Sequence, residues 1–336
     1  MKHVTIRALA RELNLSVSTI SKALRDSYEI SAETKARVLA LAATLNYTPN
    51  PYASSLRGKK SRTIGVVVPE VADSFFSLAI NGIESVMKAM GYHVLICLTH
   101  EQFDNEQLIL KEFQSGRVDG VLLSVSRETL SGDHIRHLAA QDVPVVFFDR
   151  ALDEVQAPRI VTNDFESGYA ATAHLVEKGC REIVYLGISR SLSISNRRME
   201  GYRRALADHR LPCREHNIVA CSNDPVENYK AVKKVLQRKT AQPDGIVASV
   251  EKLTTTVYQA CQDLRLNIPG DVKVVCFSNL EIATILHPSL TTITQPAFEI
   301  GRAAASLLLK AIKGTDVAKA EQVIPSILIP RGSTCG

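Results

Sequence analysis

Hydroxyl and basic side chains recur on one face of a predicted helix near the start of the chain. Helical spacing over residues 17–24 turns Ile20, Ala23 and Leu24 toward a core. The outward face then carries small, polar and basic residues, namely Val17, Ser18, Ser21, Lys22 and Arg25. Hydroxyl groups suit phosphates and base edges, while lysine and arginine suit guanine edges and phosphates. This face predicts contact with DNA.

A second group of aromatic and charged residues lies at the ends of predicted strands, farther along the chain. Rings stacked beside carboxylate and guanidinium groups suit a polyhydroxylated or anionic ligand, because hydroxyl groups need paired partners and sugar faces pack on rings. The candidate ligand contacts are Phe75, Phe76, Asp149, Arg198, Glu251, Ser278 and Gln295.

The sequence gives little support for catalysis. His100-Glu101 lacks the second histidine of a zinc-protease motif, and no G-x-S-x-G, P-loop or G-x-G-x-x-G pattern occurs. The seven cysteines are scattered without a C-x-x-C, which argues against a zinc site and a disulfide framework. We predict no enzyme activity, no cofactor and no metal. An enzyme acting on a sugar or nucleotide would need an acid–base pair that the sequence does not display.

Charge is distributed unevenly over the 336 residues. Residues 1–62 hold eleven Lys/Arg and four Asp/Glu, a net charge of +7, whereas the rest of the chain carries −2. A basic head on a near-neutral body indicates a polyanion-binding module, with a solvated basic surface as the alternative. The apolar fraction of 45% supports a sizeable core, and no apolar run reaches membrane length. Without a visible signal peptide, we expect a cytoplasmic protein.

Three short helices fit the first 46 residues. Thr5, Ser16 and Ser31 are suitable N-caps, and the break at residues 14–16 is tight. A helix, a short turn and a second short helix with a polar outer face describe a helix-turn-helix domain over residues 1–48. A three-helix domain that binds no DNA is the alternative.

Residues 49–62 predict a hinge helix and linker. Asn50 could cap one or two turns, with Pro51 first in the helix and Gly58 beyond its end. Such a helix is too short to be stable alone, so we expect it to order on a surface. A passive linker is the alternative.

The body, residues 63–336, alternates strand-like runs with amphipathic helices, which indicates parallel sheets covered by helices. Asp119-Gly120-Val121-Leu122 recurs as Asp244-Gly245-Ile246-Val247. The repeat predicts two similar doubly wound parallel-sheet lobes with a ligand cleft between them. The predicted strands cover residues 64–69, 93–98, 120–125, 143–148, 183–187, 218–221, 245–249 and 273–277.

These residues resemble the LacI/GalR transcriptional regulators. The resemblance rests on Val4-Thr5-Ile6, Leu9-Ala10, residues 17–24 and the Asn-Tyr-x-Pro-Asn motif at 46–50, and it extends over the whole chain. It implies that Val17, Ser18 and Lys22 read the major groove. It further implies phosphate contacts from Thr5, Ser16, Thr19, Ser21 and Asn50, and minor-groove contacts from Ala53, Leu56 and Arg57.

The resemblance also implies a periplasmic-binding-protein-like body, a homodimer and a carbohydrate-like effector. Arg198 precedes Gly201-Tyr202, where the family's effector-clamping arginine lies. Two of the candidate positions depart from the family. Sugar-responsive relatives often have Asp where this chain has Ser278, and the family more often has Asn or Asp where this chain has Glu251. We expect an N-lobe of about 63–162 plus 294–326 and a C-lobe of about 163–293 plus 327–336. A double-stranded DNA operator is the expected partner, and a transport-type solute-binding protein is the competing interpretation.

Overall fold

The computed structural model describes residues 4–47, 61–188 and 191–335. The chain divides into two compact units, one ending at Ser61 and the other beginning at Arg62. Most of the predicted hinge, including its helix, lies outside the described residues.

The first unit contains three helices, α1 (Ile6–Glu12), α2 (Val17–Ala23) and α3 (Ala32–Thr44). Each begins as the sequence predicts, because the hydroxyl oxygens of Thr5, Ser16 and Ser31 accept the backbone N–H three residues onward. Apolar residues from all three helices form one small core, made of Leu9, Ala10, Ile20, Ala23, Val38 and Ala42. This is the short helical arrangement expected for a helix-turn-helix.

The second unit consists of two lobes, each built on a six-stranded sheet. The N-lobe sheet contains β1 (Thr63–Val68), β2 (His93–Leu98), β3 (Val121–Leu123), β4 (Val145–Phe148), β5 (Arg159–Val161) and β11 (Glu321–Val323). The C-lobe sheet contains β6 (Ile183–Gly187), β7 (Ile218–Ala220), β8 (Gly245–Ala248), β9 (Lys273–Phe277), β10 (Thr291–Thr294) and β12 (Ile327–Ile329).

Helices cover both faces of each sheet. Those of the N-lobe are α4 (Ser74–Ala89), α5 (Phe103–Phe113), α6 (Asp133–Ala139) and α11 (Ala297–Ile312). Those of the C-lobe are α7 (Asp164–Glu177), α8 (Ser193–Asp208), α9 (Pro225–Leu236) and α10 (Leu253–Leu264). Two short 3-10 turns, Glu215–Asn217 and Glu281–Thr284, complete the described helices. No described helix has both the length and the apolar character needed to cross a membrane.

The strand orders are β11-β5-β4-β3-β1-β2 and β12-β10-β9-β8-β6-β7, so equivalent strands follow the same order in the two lobes. All eight predicted strands are present, and the doubly wound lobes are confirmed. One expectation needs correction, because β12 is antiparallel to β10 and that sheet is not wholly parallel. β10 ends near the lobe boundary, whereas β12 begins there opposite Thr294 and runs away from it.

The chain crosses between the lobes three times, after β5, after β10 and between β11 and β12. Asn163 ties two crossings together, because its Oδ1 accepts the Ser326 N–H at 2.8 Å. Four candidate ligand residues, Asp149, Glu251, Ser278 and Gln295, follow the carboxyl ends of β4, β8, β9 and β10 and lie together at this boundary.

A close helix contact through glycine recurs in each lobe. A Cβ placed on Gly301 of α11 would lie 2.0 Å from the carbonyl oxygen of Ala79 on α4. A Cβ on Gly168 of α7 would lie 2.1 Å from the carbonyl oxygen of Arg198 on α8. The second contact fixes the helix that carries Arg198 directly against α7.

Candidate functional sites

The polar face of α2 lies at the surface of the first unit. Val17 is 40% exposed, Ser18 is exposed, and Ser21 is half-buried. Arg25 lies two residues beyond the end of α2, and its Nε donates to the Ser21 carbonyl at 2.9 Å. The helix therefore presents a short, small side-chain surface flanked by a guanidinium group.

Two of the candidate phosphate contacts, Thr5 and Ser16, are also the N-caps of α1 and α2. The Thr5 hydroxyl accepts the Ala8 N–H at 3.3 Å, and the Ser16 hydroxyl accepts the Thr19 N–H at 3.0 Å. The hydroxyl groups of Ser16 and Thr19 also bond to each other at 2.8 Å. These three side chains are held at the N-terminal ends of α1 and α2, where the helix dipole favours anions.

Lys22 forms an ion pair with Glu29, in the turn that follows α2. Both side chains remain partly exposed, at 39% and 45%, so the pair is open to water. An exposed pair of this kind contributes little to stability and can exchange partners. The remaining DNA candidates, Asn50, Ala53, Leu56 and Arg57, lie outside the described residues.

All seven candidate ligand contacts border one cavity between the lobes. The cavity has a volume of about 40 Å³. Small-molecule sites commonly enclose about 300–1,000 Å³. Side chains of the two lobes therefore fill most of the space between them.

Arg198 is the most deeply embedded of these residues. It is 3% exposed, its Nε donates to Asp164 at 2.7 Å, and its Nη1 donates to the Ser249 carbonyl at 2.7 Å. The guanidinium carbon lies 4.2 Å from the centroid of the Phe277 ring, so the ring orients the cation. Nη2 is buried and has no partner within the described residues. One donor nitrogen of a fixed guanidinium therefore stays available.

Asp149 follows β4 and has a φ of 60°, a left-handed conformation that aspartate tolerates better than most residues. Its Oδ1 lies 3.5 Å from Nε2 of Gln295. Burial raises the pKa of Asp149 to about 6, although Arg150 and Arg198 oppose the shift. Arg150 itself is engaged by Glu101, with Nη1 2.9 and 3.0 Å from the two carboxylate oxygens.

Glu251 connects the two lobes. Its Oε1 accepts the Ser74 N–H at 3.0 Å, and its Oε2 accepts the Ser278 hydroxyl at 3.1 Å and the Asn279 N–H at 2.9 Å. Ser278, expected to contact a ligand, is thus engaged by Glu251.

Phe75 and Phe76 supply the apolar wall of the cavity. Their rings meet edge to face with centroids 5.3 Å apart. The Arg150 guanidinium lies 5.7 Å from the centroid of Phe76. The predicted association of aromatic rings with charged groups is therefore present at the N-lobe side of the cleft.

Sequence reasoning missed two important acidic residues. Asp164 lies on α7, 34 positions before Arg198, and accepts a hydrogen bond from it. No short sequence motif predicts a pair over that separation. Asp73 borders the cavity and accepts the Phe75 N–H at 2.9 Å as the N-cap of α4. An N-cap pattern before Ser-Phe-Phe could have identified Asp73, but not its position in the cleft.

Two family profiles match the chain. One is described as "Periplasmic binding proteins and sugar binding domain of LacI family" and matches residues 61–334. The other is described as "Bacterial regulatory proteins, lacI family" and matches residues 5–50. Together they account for both structural units.

Comparisons with individual proteins agree with these two family matches. The chain is 29% identical to the ribose operon repressor of Halalkalibacterium halodurans, over 99% of this chain and 97% of the relative. It superposes on the lac repressor dimer bound to operator and the anti-inducer ONPF with a TM-score of 0.84 at 23% identity, covering 100% of both chains. A regulator from Enterococcus faecium with bound ribose gives a TM-score of 0.72 at 26% identity, over 81% of this chain and 98% of that chain.

Proposed function

Because the chain belongs to the LacI family of bacterial regulatory proteins, we propose that it is a sequence-specific transcriptional repressor controlled by a small-molecule effector. The effector, a sugar or sugar derivative, binds between the lobes and changes operator affinity. The protein acts as a homodimer in the cytoplasm, on double-stranded DNA. The observation that carries the proposal is the coexistence, in one chain, of a polar helix-turn-helix face and an interlobe cavity bordered by all seven ligand candidates.

The DNA-binding part of the proposal rests on α2 and its flanking hydroxyl groups. Val17, Ser18 and Lys22 would read base edges in the major groove. Thr5, Ser16, Thr19 and Ser21 would contact phosphates, with Arg25 beside them. Asn50, Ala53, Leu56 and Arg57 complete the proposed interface, and two such heads in a dimer would read two half-sites.

The effector part rests on complementary groups in the cleft. The unpartnered Nη2 of Arg198 is a donor, and the Asp149 carboxylate is an acceptor with unused capacity. A donor and an acceptor that border the same cavity suit the hydroxyl groups of one ligand, and Phe75 and Phe76 suit the apolar face of a sugar ring. The relatives named for ribose support this ligand class.

A gel-shift titration on the DNA upstream of the gene tests the DNA-binding part. The full chain should bind with a steep salt dependence, since each neutralised phosphate contributes about 0.9 to the slope of log affinity against log salt. A shortened chain of residues 61–336 should lose this binding while keeping its circular dichroism. Tight binding by the shortened chain would refute the proposal, and absence of binding by both would favour a transport-type solute-binding protein.

A thermal-shift screen tests the effector part. Sugars, sugar phosphates, uronates and purines should be compared on the full chain. A true effector at 100 times its dissociation constant adds about 2.7 kcal/mol to the free energy of unfolding. The same compound must then change the operator affinity, whereas an unrelated stabilising additive would not.

A further inference from the structure

Two acidic side chains in the turn after α2 each pair with a lysine of a helix. Lys22, in the last turn of α2, pairs with Glu29. Lys35 of α3 donates to Oδ1 of Asp26 at 2.6 Å. Lys22 is one of the side chains proposed to read base edges, so a carboxylate lies directly beside a DNA-reading ammonium group. This arrangement needs a reason, because DNA is a polyanion and repels a carboxylate.

The fold of the turn places Glu29 beside Lys22. The Ser27 N–H donates to the Lys22 carbonyl at 3.0 Å, which brings the chain back to the end of α2. The Glu29 N–H donates to the Ser27 hydroxyl oxygen at 3.4 Å, and the next residue, Ile30, packs against the core of the first unit. The backbone on both sides of Glu29 is therefore held, and the pair with Lys22 follows from the shape of the turn.

The ion pair is compatible with a contact between Lys22 and a base. An ammonium group has three N–H donors, and Glu29 engages only one side of it. The Lys22 side chain is 39% exposed, so the other donors are accessible. Guanine presents two neutral acceptors, N7 and O6, in the major groove. Lys22 can therefore bind a guanine edge while it keeps Glu29.

The same pair disfavours a contact between Lys22 and a phosphate. A lysine without an acidic neighbour is a point charge that any phosphate attracts, whatever the base sequence. Beside Glu29 the charge of Lys22 is balanced, and the carboxylate repels an approaching phosphate oxygen. The guanine acceptors carry no net charge, so the repulsion affects them far less. The pair thus favours base edges over the DNA backbone.

We propose that Glu29 is a specificity-determining residue that acts through Lys22. Its carboxylate orients the Lys22 ammonium group and cancels the charge, so that Lys22 reads a base and adds little to sequence-independent binding. This role rests on the proposed function, since it takes DNA as the partner.

The substitution Glu29→Gln tests this role, because it removes the charge and keeps the size of an exposed side chain. The full chain is titrated on the DNA upstream of the gene and on an unrelated duplex of equal length, between about 50 and 200 mM salt. Affinity for the unrelated duplex should rise about two- to fivefold, the range that corresponds to release of an exposed ion pair. The slope of log affinity against log salt on that duplex should steepen by as much as about 0.9, the value for one more neutralised phosphate. Affinity for the upstream DNA should change less, so the ratio of the two affinities should fall.

Two matched variants separate this effect from a general change in charge. Asp26→Asn removes one negative charge from the same turn, and asparagine tolerates the left-handed backbone of this residue, whose φ is 54°. Because Lys35 belongs to α3 and not to the reading helix, Asp26→Asn should raise both affinities by the same factor. In a Lys22→Ala background, Glu29→Gln should steepen the slope no more than Asp26→Asn does, because the lysine that it releases is absent.

The outcomes distinguish the role of Glu29 from the proposed function. Equal effects of Glu29→Gln and Asp26→Asn on both duplexes would overturn the role, as would an undiminished effect of Glu29→Gln in the Lys22→Ala background. Failure of the unmodified chain to prefer the upstream DNA would count against the proposed function alone, because the slopes on the unrelated duplex still decide the role of Glu29. Absence of binding to either duplex would refute both.

Discussion

Replacement of Arg198 by alanine should destabilise the body before it reports on effector binding. The substitution leaves the Asp164 carboxylate, 3% exposed, without the donor that it contacts at 2.7 Å. It also removes the donor to the Ser249 carbonyl. Breaking one side of a buried ion pair costs about 3–5 kcal/mol, because the remaining charge stays buried without compensation. We expect a loss of that size in the free energy of unfolding.

Urea unfolding followed by far-ultraviolet circular dichroism measures this loss. The chain contains two structural units, so the body transition is fitted on its own. Arg197→Ala is the matched control, because Arg197 is the preceding residue of the same helix and is exposed. It should change stability by no more than about 0.5 kcal/mol.

A double substitution distinguishes the ion pair from simple loss of packing. Arg198→Met combined with Asp164→Leu removes both charges, and apolar replacements of buried pairs are often neutral. The double variant should therefore recover most of the stability lost in Arg198→Ala, while both variants lose the effector response. A cost below about 1 kcal/mol for Arg198→Ala would refute the description of this pair as buried and mutually dependent.

Three further perturbations test other parts of the molecule. Burial holds the pKa of Asp149 at about 6, above its ordinary 3.8, so its protonated form stabilises the folded chain at low pH, and this contribution is lost as pH rises from about 4 through about 6. Asp149→Asn should abolish that fall in urea titrations between about pH 4 and 7. Gly301→Ala should lower the melting temperature through a clash of 2.0 Å with a carbonyl of α4, whereas Gly270→Ala, where a Cβ meets only an ordinary contact at 3.5 Å, should not. Lys22→Ala should cost about 1–3 kcal/mol on the preferred operator in gel shifts and little on unrelated DNA, and a uniform loss would instead mark Lys22 as a phosphate contact.

Local chemistry accounts for what the sequence predicts well. The caps at Thr5, Ser16 and Ser31 involve residues three positions apart, so composition and spacing suffice to locate the first helices. Six of the eight predicted strands, β1, β3, β4, β6, β8 and β9, are apolar runs in the interior of a sheet, where burial on both faces enforces a continuous hydrophobic pattern, and the other two, β2 and β7, lie at sheet edges. The four missed strands, β5, β10, β11 and β12, are about as short as β3 and β7, and charged or polar residues interrupt the apolar run in β5, β10 and β11.

Long-range pairing explains what the sequence could not provide. Arg198 meets Asp164 because α7 and α8 touch through Gly168, and neither the helix contact nor the pair follows from the residues near Arg198. The contact of Glu251 with Ser74 spans 177 positions and uses a backbone N–H, which no side-chain motif announces. The residue types were enough to predict which side chains border the cavity. The partners of the charged side chains can be seen only in the folded chain.

Those partners refine the expected effector class. Arg198 is paired with Asp164, and Arg150 is paired with Glu101, so both guanidinium groups are already compensated. An anionic ligand entering the cleft would therefore meet Asp149 without a spare cation.

We consequently expect neutral sugars to bind in preference to acidic ones. The residue types alone indicate a ligand that is either polyhydroxylated or anionic, and the ion pairs favour the first of these. Thermal shifts should be larger for ribose than for ribose 5-phosphate, and larger for galactose than for galacturonate, at equal concentrations. Because the opposing charge is Asp149, the discrimination should weaken in Asp149→Asn. Stronger stabilisation by the phosphorylated or acidic member of both pairs would show that Arg198 exchanges Asp164 for the ligand, and the charge argument would be wrong.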